Sequence, residues 1–326
     1  MSCAGQRCQE GPLDVWVLCG GLDRERPVSL ASGQHVAKAL VQAGHRTILC
    51  DVNPENIGGV LDEFEKLQTA TGKLIFPMIH GLWGEGGALQ GILEDREIGF
   101  VTTGARGGRD CMDKYFTKKR MVEHDLPTLD FKMIEGPRDD TFPLPMVIKA
   151  VEEGSSFGMA ICQTAEQAKE ARERLFKGYD QLMAERYLRG AEMTVGVLEV
   201  GGELVALPPI KIIPAQESYD YRAKYVDDDT QYLFDTGLPE LILDQIKADA
   251  VRLHRLMGAR DLSRVDFLVD ENQQHWILEI NTIPGFTGHS LFPKAALAYG
   301  LPLVKLVDLL ASQAYQRSRP GCDGCL

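Results

Sequence analysis

The stretch LSRVDFLVDENQQHWILEINTIPG, residues 262–285, decides the fold of the C-terminal half of the chain. Apolar runs at 265–269 and 275–280 flank a polar turn at 270–274, and this spacing predicts two antiparallel strands. A segment with helical period precedes them at 239–257. The pattern therefore predicts a helix followed by a strand hairpin.

Three polar residues of this hairpin form a candidate metal site. Glu279 and Asn281 are alternate residues of the second strand, so their side chains project to the same face. Asp266 on the first strand can face them. Two carboxylates and an amide oxygen suit Mg²⁺, which completes its coordination shell with phosphate and water. Each residue alone would be interpreted as a polar strand end, but the three together, beside Arg264, favour a metal site.

A glycine- and serine-rich turn upstream is a candidate phosphate site. Gly154-Ser155-Ser156-Phe157-Gly158 lies between strands predicted at 146–151 and 159–163, with Lys149 near the end of the first. Glycine and short hydroxyl residues let backbone N–H groups surround phosphate oxygens, and an ammonium adds positive charge. On its own such a turn is more often part of an ordinary hairpin, and the Gly-Lys-Ser/Thr order of a Walker loop is missing.

The other elements follow from the same periodicities. Alternating strands and helices predict an N-terminal parallel sheet with ligand loops at the strand C-termini. The strands are predicted at 15–19, 46–52, 74–79 and 100–103, and the helices at 29–43 and 87–96. An α+β unit is predicted next, with helices at 112–124 and 165–177 and further strands at 131–134 and 182–186. A hairpin between 193–200 and 203–213 turns at Gly201-Gly202. Two short helices close the chain.

The predicted fold class is α/β and α+β, in three domains. The N-terminal α/β domain covers 12–111, the central unit 112–188 and the C-terminal unit 189–313, with flexible cysteine-containing tails at 1–11 and 314–326. The polar loop 214–231 has no clear period, and a loop of this length in a compact domain is usually functional or mobile.

Charge and hydropathy argue against several classes of function. The 326 residues carry a formal charge of −12, which argues against bulk attraction to nucleic acid or to an anionic membrane. We expect neither as a partner, and any anionic ligand must be held by a local site. No apolar run approaches the roughly 20 residues of a membrane span, and the start of the chain lacks the pattern of a signal peptide. A cytoplasmic protein is expected.

The eight cysteines are too sparse for a disulfide scaffold. Four lie in predicted core elements, where a free thiol packs as a small hydrophobe. These are Cys19, Cys50, Cys111 and Cys162. The other four lie in the tails, at Cys3, Cys8, Cys322 and Cys325. They could form a Cys₄ zinc site if the ends met, but exposed thiols in flexible tails are the favoured interpretation.

Six motifs, in order along the chain, resemble those of the ATP-grasp enzymes, and specifically the D-alanine–D-alanine ligases. They are GGLDRERPVSL (20–30), HGLWGEGGALQG (80–91), MDK (112–114), EGSSFGM (153–159), YDYRAKY (219–225) and LEINTIPGFTGHSL (278–291). The resemblance covers about residues 14–312. It implies an ATP-grasp fold behind an N-terminal parallel-sheet domain, and a homodimer. The implied reaction joins two D-alanines through an acylphosphate, for peptidoglycan precursor synthesis.

The resemblance implies roles for the nucleotide residues. Lys114, Lys149 and Ser156 would contact ATP phosphates, Glu185 to Leu188 would form the adenine hinge, and Glu192 would take the ribose hydroxyls. Asp266, Glu279 and Asn281 would hold two Mg²⁺ ions, with Mn²⁺ as an alternative. Lys224 in the loop 214–231 would close over the γ-phosphate, so that the loop excludes water from a hydrolysable intermediate.

The amino-acid pocket follows by the same resemblance. Glu25 would pair with the ammonium of the first D-alanine, in a hydrogen-bonded triad with Ser155 and Tyr225. His80 would lie near the carboxylate of that substrate, an interpretation that the nearby Glu85 strengthens over a structural role. Tyr225 goes with dipeptide formation in this family, so an amine acceptor is favoured.

The remaining implied roles concern the second substrate and the reaction centre. Arg264 and the backbone N–H of Gly285 would stabilise the tetrahedral intermediate. Ser290 and Leu291 would hold the carboxylate of the second D-alanine.

Two departures from the family pattern keep alternatives open. The first turn has Leu22-Asp23, and Glu152 replaces a basic residue beside the phosphate turn, where it adds unfavourable charge. One alternative is an ATP-grasp ligase for another D-amino acid or a hydroxy acid, and another is a nucleotide-binding protein without ligase activity. A dinucleotide oxidoreductase, suggested by Gly20-Gly21 after a strand, is disfavoured because Gly-x-Gly-x-x-Gly is missing.

Overall fold

The computed structural model describes residues 11–155, 157–214 and 230–319. Some of the residues singled out in the sequence lie outside these ranges. They are Ser156, Lys224, Tyr225, Cys3, Cys8, Cys322 and Cys325.

The N-terminal strands form the predicted parallel sheet. β1 (Asp14–Gly20) lies between β2 (Arg46–Val52) and β3 (Lys73–Pro77). All of β1 is buried, as expected for the central strand of a parallel sheet covered on both faces. Helices α1 (Arg26–Gln42) and α2 (Ile57–Lys66) follow β1 and β2.

The turn after β1 depends on glycine. Gly20 and Gly21 have φ values of 106° and 84°, a region that side chains disfavour. A Cβ on Gly20 would lie 2.2 Å from Asp51 Oδ1. The chain can therefore bend sharply at the carboxyl end of β1 and bring Glu25 to the start of α1.

The strand predicted at 100–103 does not form. Phe100 makes one isolated parallel bridge to Ile75. Thr102 then has a φ of 88°, which ends extended backbone, and its N–H donates to Asp261 Oδ2 at 2.6 Å. The Asp261 carboxylate thus accepts the backbone hydrogen bond that a neighbouring strand would otherwise accept.

Four short helices connect this sheet to the next, namely α3 (Leu82–Glu85), α4 (Ala88–Asp95), α5 (Ala105–Met112) and α6 (Lys114–Glu123). The sequence did not predict α2, α3 or α5. Two adjacent glycines in α5 lower helix propensity, yet they allow close packing. A Cβ on Gly107 would lie 2.9 Å from the carbonyl oxygen of Gly258, and one on Gly108 would lie 2.7 Å from that of Glu85.

The central sheet is antiparallel, in the order β4-β7-β5-β6. Its strands are β4 (Phe131–Ile134), β5 (Met146–Ala150), β6 (Met159–Cys162) and β7 (Leu182–Arg186). Helix α7 (Ala165–Leu175) begins at a capping box formed by Thr164 and Gln167.

The third sheet has the order β11-β10-β8-β12-β13, with β9 paired to β8. The strands are β8 (Ala191–Val200), β9 (Glu203–Ala206), β10 (Ile210–Ile213), β11 (Gln231–Leu233), β12 (Leu262–Val269) and β13 (His275–Asn281). The strand predicted at 203–213 is divided, since Pro208 and Pro209 have no N–H to donate. Helix α8 (Glu240–Leu256) precedes β12, and the predicted β12–β13 hairpin is confirmed.

The C-terminal helices return to the first sheet. α9 (Leu291–Ala298) and α10 (Leu303–Arg317) share a core with β1, α1 and β3. Each of the three segments proposed from the sequence carries one sheet, but this shared core joins the first segment to the third. We keep the domain boundaries at 111 and 188 as a proposal.

Two further sequence expectations concern cysteines and membrane spans. Cys19, Cys111 and Cys162 are buried free thiols, and Cys50 is half-buried. Burial is the main cause that raises the pKa of the Cys19 and Cys50 thiols to about 11. Among the described helices none alone is long and apolar enough to cross a membrane, although the pair α9 and α10, bent by 100°, passes by length and composition.

The ion pair between Arg317 and Asp261 ties α10 to β12, and its loss should destabilise the fold. Arg317 donates to both oxygens of Asp261, at 2.6 and 2.9 Å, and Asp261 is buried. Arg317→Met leaves a buried carboxylate short of a partner, so we expect unfolding free energy to fall by about 2–3 kcal/mol. Urea denaturation followed by circular dichroism measures the change. Lys305→Met, at an exposed position of the same helix, is the control; an equal loss in both proteins would contradict the role of the pair.

Candidate functional site

One cavity of about 750 Å³ lies between the central and third sheets. Its lining combines apolar side chains with a few charged groups, which is typical of a small-molecule site. Seven residues assigned to nucleotide or metal from the sequence line it, namely Lys114, Lys149, Glu185, Leu188, Glu192, Asp266 and Glu279. Apolar surface comes from side chains that sequence reasoning did not single out, including Val147, Met159, Ile161, Ile212 and Leu278.

Glu185, at the end of β7, is held by two lysines. One carboxylate oxygen contacts Lys149 Nζ and the other contacts Lys118 Nζ. Burial would raise the pKa of Glu185, but the two ammonium groups outweigh it and the pKa is lowered. The pKa of Lys149 is raised because Glu185, helped by Glu279 and Glu192, outweighs the opposing effect of burial. Lys149 therefore faces the cavity as a cation.

Lys114 begins α6 and connects two parts of the site. Asp113 caps the helix by accepting a hydrogen bond from Phe116 N at 2.7 Å, which explains why the helix begins there. Lys114 Nζ donates to the carbonyl oxygen of Glu153, at the start of the glycine-rich turn, and lies 3.5 Å from Glu279 Oε2. A cation is thus placed between the turn and the carboxylates of the third sheet.

The carboxylates of the predicted metal site lie opposite each other. Asp266 on β12 pairs in register with Glu279 on β13. Arg264 donates to both oxygens of Asp266, at 2.9 and 2.8 Å, and the Thr194 hydroxyl donates to Oδ1 at 2.6 Å. Hard oxygen donors are therefore present at the cavity wall, as Mg²⁺ requires.

Asn281 fits the predicted metal set less directly. It is paired with Arg264 across the strands, does not line the cavity, and its Oδ1 accepts a hydrogen bond from Ile283 N at 3.0 Å. Within the described ranges, no group of three or more His, Cys, Asp or Glu side chains is arranged to hold a metal.

A second group of predicted residues surrounds the turn after β1. Glu25, which is buried, accepts a hydrogen bond from the Ser155 hydroxyl of the glycine-rich turn. A Cβ on Gly154 would lie only 3.0 Å from Glu25 Oε2. Glu25 is also the N-cap of α1, where the helix dipole favours a negative charge. The structure thus brings together two members of the predicted triad, Glu25 and Ser155, while Tyr225 lies outside the described residues.

His80 is fully enclosed beside Glu85. The distance from His80 Nδ1 to Glu85 Oε1 is 3.1 Å, and the same oxygen accepts a bond from Gly81 N at 3.2 Å. Burial acts to lower the pKa of His80, but Glu85, and to a lesser extent Glu25, outweighs it and the pKa is raised. Burial also raises the pKa of Glu85 against the influence of the imidazole.

Gly285, Ser290 and Leu291 are brought together at the start of α9. A Cβ on Gly285 would lie 2.8 Å from Ser290 Oγ, so a side chain at this position would displace the serine hydroxyl. The Ser290 hydroxyl bonds the amide and the hydroxyl of Thr287, at 2.9 Å each, and does not cap its own helix. The first amides of α9 are the groups that a carboxylate can bind at a helix N-terminus.

The glycine-rich turn joins the two groups of residues. Lys114 of the cavity wall donates to the Glu153 carbonyl oxygen at the start of the turn, and Ser155 of the same turn donates to Glu25. Sequence reasoning missed Lys118. A signal was present, because Lys118 follows Lys114 by four residues on one helix and therefore shares its face.

Comparisons with known proteins identify the family of this chain. A sequence model for the family described as D-ala D-ala ligase C-terminus matches residues 121–312. A D-alanine–D-alanine ligase of Bordetella avium is 37% identical over 316 residues, which cover 94% of this chain and 96% of the relative. The structure of the D-alanine–D-alanine ligase from Coxiella burnetii matches with a TM-score of 0.79 at 27% identity, over 94% of this chain and 95% of that one.

A further match concerns the fold alone. The D-alanine–D-alanine ligase of Bacillus anthracis, crystallised with ATP, has a TM-score of 0.79 at 24% identity and covers 94% of this chain and 98% of that one. The predicted fold class, a parallel N-terminal sheet followed by antiparallel ATP-grasp sheets, is confirmed by these matches.

Removing the Glu85 carboxylate should reverse the pKa shift of His80. In Glu85→Gln the desolvation of the buried imidazole is opposed far less, so we expect the pKa of His80 to fall from above 6.5 to below it. A raised folded-state pKa stabilises the fold below the unfolded value, and this contribution is lost as pH rises through the folded value. The variant should lose that acid-side contribution. NMR titration of the imidazole resonances measures the pKa of His80 in the parent and in the variant.

The same titration contains its control. His254 is buried elsewhere, and burial lowers its pKa to about 4, a value that Glu85→Gln should leave in place. An unchanged His80 titration in the variant would contradict the interpretation of the pair.

Proposed function

The chain belongs to the D-alanine–D-alanine ligase family and is a ligase, and on this premise we propose that it joins two D-alanines at the expense of ATP. The observation that carries the proposal is the connection between the two residue groups through the glycine-rich turn. Lys114 Nζ lies 3.5 Å from Glu279 Oε2 at the cavity and donates to the Glu153 carbonyl oxygen at the start of that turn, and Ser155 of the turn donates to Glu25. A phosphoryl group and an amino-acid carboxylate could therefore react at that junction.

The proposed chemistry has two steps. A carboxylate oxygen of the first D-alanine attacks the γ-phosphorus of ATP and ADP leaves, which gives an acylphosphate. The amine of the second D-alanine then attacks the acyl carbon, loses a proton, and inorganic phosphate leaves. The sequence of steps is needed because a carboxylate is a poor electrophile, whereas an acylphosphate carries a good leaving group.

Nucleotide binding is assigned to the cavity residues. The ammonium groups of Lys114 and Lys149 would bind phosphate oxygens, and the glycine-rich turn that holds Ser156 would close over them. The segment from Glu185 to Leu188 would contact adenine through its backbone, since the Glu185 carboxylate is already bound by two lysines. Glu192, on β8 at the cavity wall, would accept bonds from the ribose hydroxyls.

Substrate orientation is assigned to the second group. Glu25 would pair with the ammonium of the first D-alanine, and Ser155 holds the Glu25 carboxylate in place. His80 with a raised pKa would act as a cation toward the substrate carboxylate. The amides at Ser290 and Leu291 would hold the second carboxylate.

The reaction centre would be stabilised by charge. Arg264 and the Gly285 N–H would stabilise the tetrahedral oxyanion as the second amine attacks. We also propose Lys224 and Tyr225, in the loop 214–231, as groups that close the site and exclude water.

Mg²⁺ fits the donor set of the cavity wall. Glu279 and Asp266 would hold it, with Asn281 contributing to a second ion, and bound metal would offset negative charge on the phosphates. The chain would act in the cytoplasm, where ATP is supplied, as the homodimer that the family resemblance implies.

D-Alanine should be required for turnover. With purified protein, ATP and Mg²⁺, we expect phosphate release with D-alanine and none above background with L-alanine, because the pocket is chiral and Glu25 fixes the ammonium. A coupled phosphate assay measures the rate, and mass spectrometry identifies the dipeptide. D-Serine and D-lactate as acceptors test the alternative substrates. Release no greater than with L-alanine would contradict the D-alanine assignment.

Glu279→Gln should reduce turnover by about 100-fold or more, because it removes a charged ligand of the proposed metal. Excess Mg²⁺ should restore part of the activity, and chelation by EDTA should abolish activity in the parent. Steady-state rates across a Mg²⁺ titration measure the effect. Glu271→Gln, exposed in the turn between the same two strands, is the matched control. Full activity of Glu279→Gln at low Mg²⁺ would refute the assignment.

A further inference from the structure

Lys118 is a buried lysine to which the proposed mechanism assigns no role. Its side chain is 1% exposed, although lysines are almost never fully buried unless paired. It lies on α6, one helical turn beyond Lys114, and it does not line the cavity.

The ammonium of Lys118 is bound on two sides. It contacts one carboxylate oxygen of Glu185 and donates to the Thr128 hydroxyl at 2.8 Å. Thr128 in turn forms a bridge to Ile277 on β13, in the third sheet. Lys118 is therefore fixed at the junction of the central and third sheets, directly behind the cavity wall.

Glu185 shares its charge between two lysines on opposite sides. Its second oxygen contacts Lys149, whose side chain is 15% exposed and lines the cavity. Of the two cations bound to Glu185, one faces the ligand space and one is enclosed by protein.

The charge balance of this trio gives Lys118 its role. Burial lowers the pKa of Lys118, and its contact with Glu185 opposes that effect. With both lysines protonated, the one carboxylate neutralises one ammonium, so the trio carries one positive charge in excess. Lys149 is the member that can present this excess to a ligand. Without Lys118, Glu185 and Lys149 would form a neutral buried pair, and pairing with the carboxylate would compete with phosphate for Lys149.

We propose that Lys118 is a positioning residue that occupies Glu185 and so leaves Lys149 able to bind the phosphates of the nucleotide. The proposal rests on the proposed function, since it takes the cavity as the ATP site. Lys118 acts through Glu185 and touches no substrate.

A purely structural role for Lys118 makes a different prediction. If Lys118 only fastens the two sheets, its loss lowers stability but leaves the folded protein with the same preference for ATP over adenosine. If Lys118 instead controls the charge that Lys149 presents to the cavity, its removal weakens the binding of ligands that carry phosphate. The ratio of the two affinities therefore separates the roles.

The experiment uses three variants of the full chain. Lys118→Met removes the buried ammonium. Lys119→Met, at the exposed neighbouring position, is the matched control. Lys118→Met combined with Glu185→Gln removes the carboxylate as well and restores the single excess charge at Lys149. Calorimetry with ATP and with adenosine, at fixed Mg²⁺, gives the dissociation constants, and circular dichroism verifies folding.

We expect Lys118→Met to weaken ATP binding at least about tenfold, the scale of a lost close charge contact, and to leave adenosine binding within about twofold. The double variant should recover most of the ATP-to-adenosine ratio, and Lys119→Met should match the parent. Recovery is the decisive result, because removing a second group from the site improves phosphate binding only if charge balance is the cause.

Each contrary outcome has a distinct meaning. Parent protein that does not bind ATP would overturn the proposed function together with this proposal. Folded Lys118→Met with a normal ATP-to-adenosine ratio would overturn this proposal alone. If Lys118→Met fails to fold, the double variant decides, since it leaves no buried carboxylate short of a partner. A low ATP-to-adenosine ratio in that protein would overturn the role of Lys118.

Discussion

The register of the β12–β13 hairpin is the constraint on which the site depends. Asp266 opposes Glu279, and Arg264 opposes Asn281. A slip of one residue would turn every side chain of the slipped strand to the opposite face of the sheet and remove its carboxylate from the cavity. The buried residues between them, Val265 and Ile280, fix this register because they must face the helix side of the sheet. The packing of these apolar residues thus determines that Asp266 and Glu279 face the cavity.

The second requirement is that segments far apart in the sequence keep fixed positions relative to one another. The core shared by β1, α1, α9 and α10 joins the N-terminal sheet to the C-terminal helices. Through it, the turn that carries Glu25 and the start of α9 at Ser290 are held on one body. The residues proposed to bind the two substrates are therefore held in fixed relative positions although they are far apart in sequence, which a hinge between independent domains would not ensure.

Sequence reasoning predicted the regular parts of this fold well. β2 and β7 occupy the predicted residues, because alternation and β-branched content are local properties. It failed where a long-range contact replaces a local signal. Thr102 leaves the extended conformation to bind Asp261, and α5 forms despite two glycines because its backbone must pack closely. Neither contact can be inferred from a window of neighbouring residues.

In the candidate site, too, local patterns were predicted and long-range contacts were missed. Motif spacing identified Lys149, Glu185 and Glu279, and the structure places all three at one cavity. Lys118 was missed because its importance lies in a contact with a strand 67 residues further along the chain, and a buried lysine has no periodic signature. Separate roles were predicted for Arg264 and Asp266, while in the structure the two side chains form one ion pair.

Charge explains how an acidic protein can take an anionic ligand at this place. The charged residues that line the cavity are four cations and five anions, and Lys118 and Arg264 behind the wall add two positive charges. The site is thus close to neutral, because almost every lysine is already paired with a carboxylate. ATP brings several negative charges, and a nearly neutral wall cannot offset them. The proposed Mg²⁺ ions would therefore contribute to nucleotide binding as well as to the chemistry, because Asp266 and Glu279, which now pair with Arg264 and Lys114, would hold them and the ions would supply the missing positive charge.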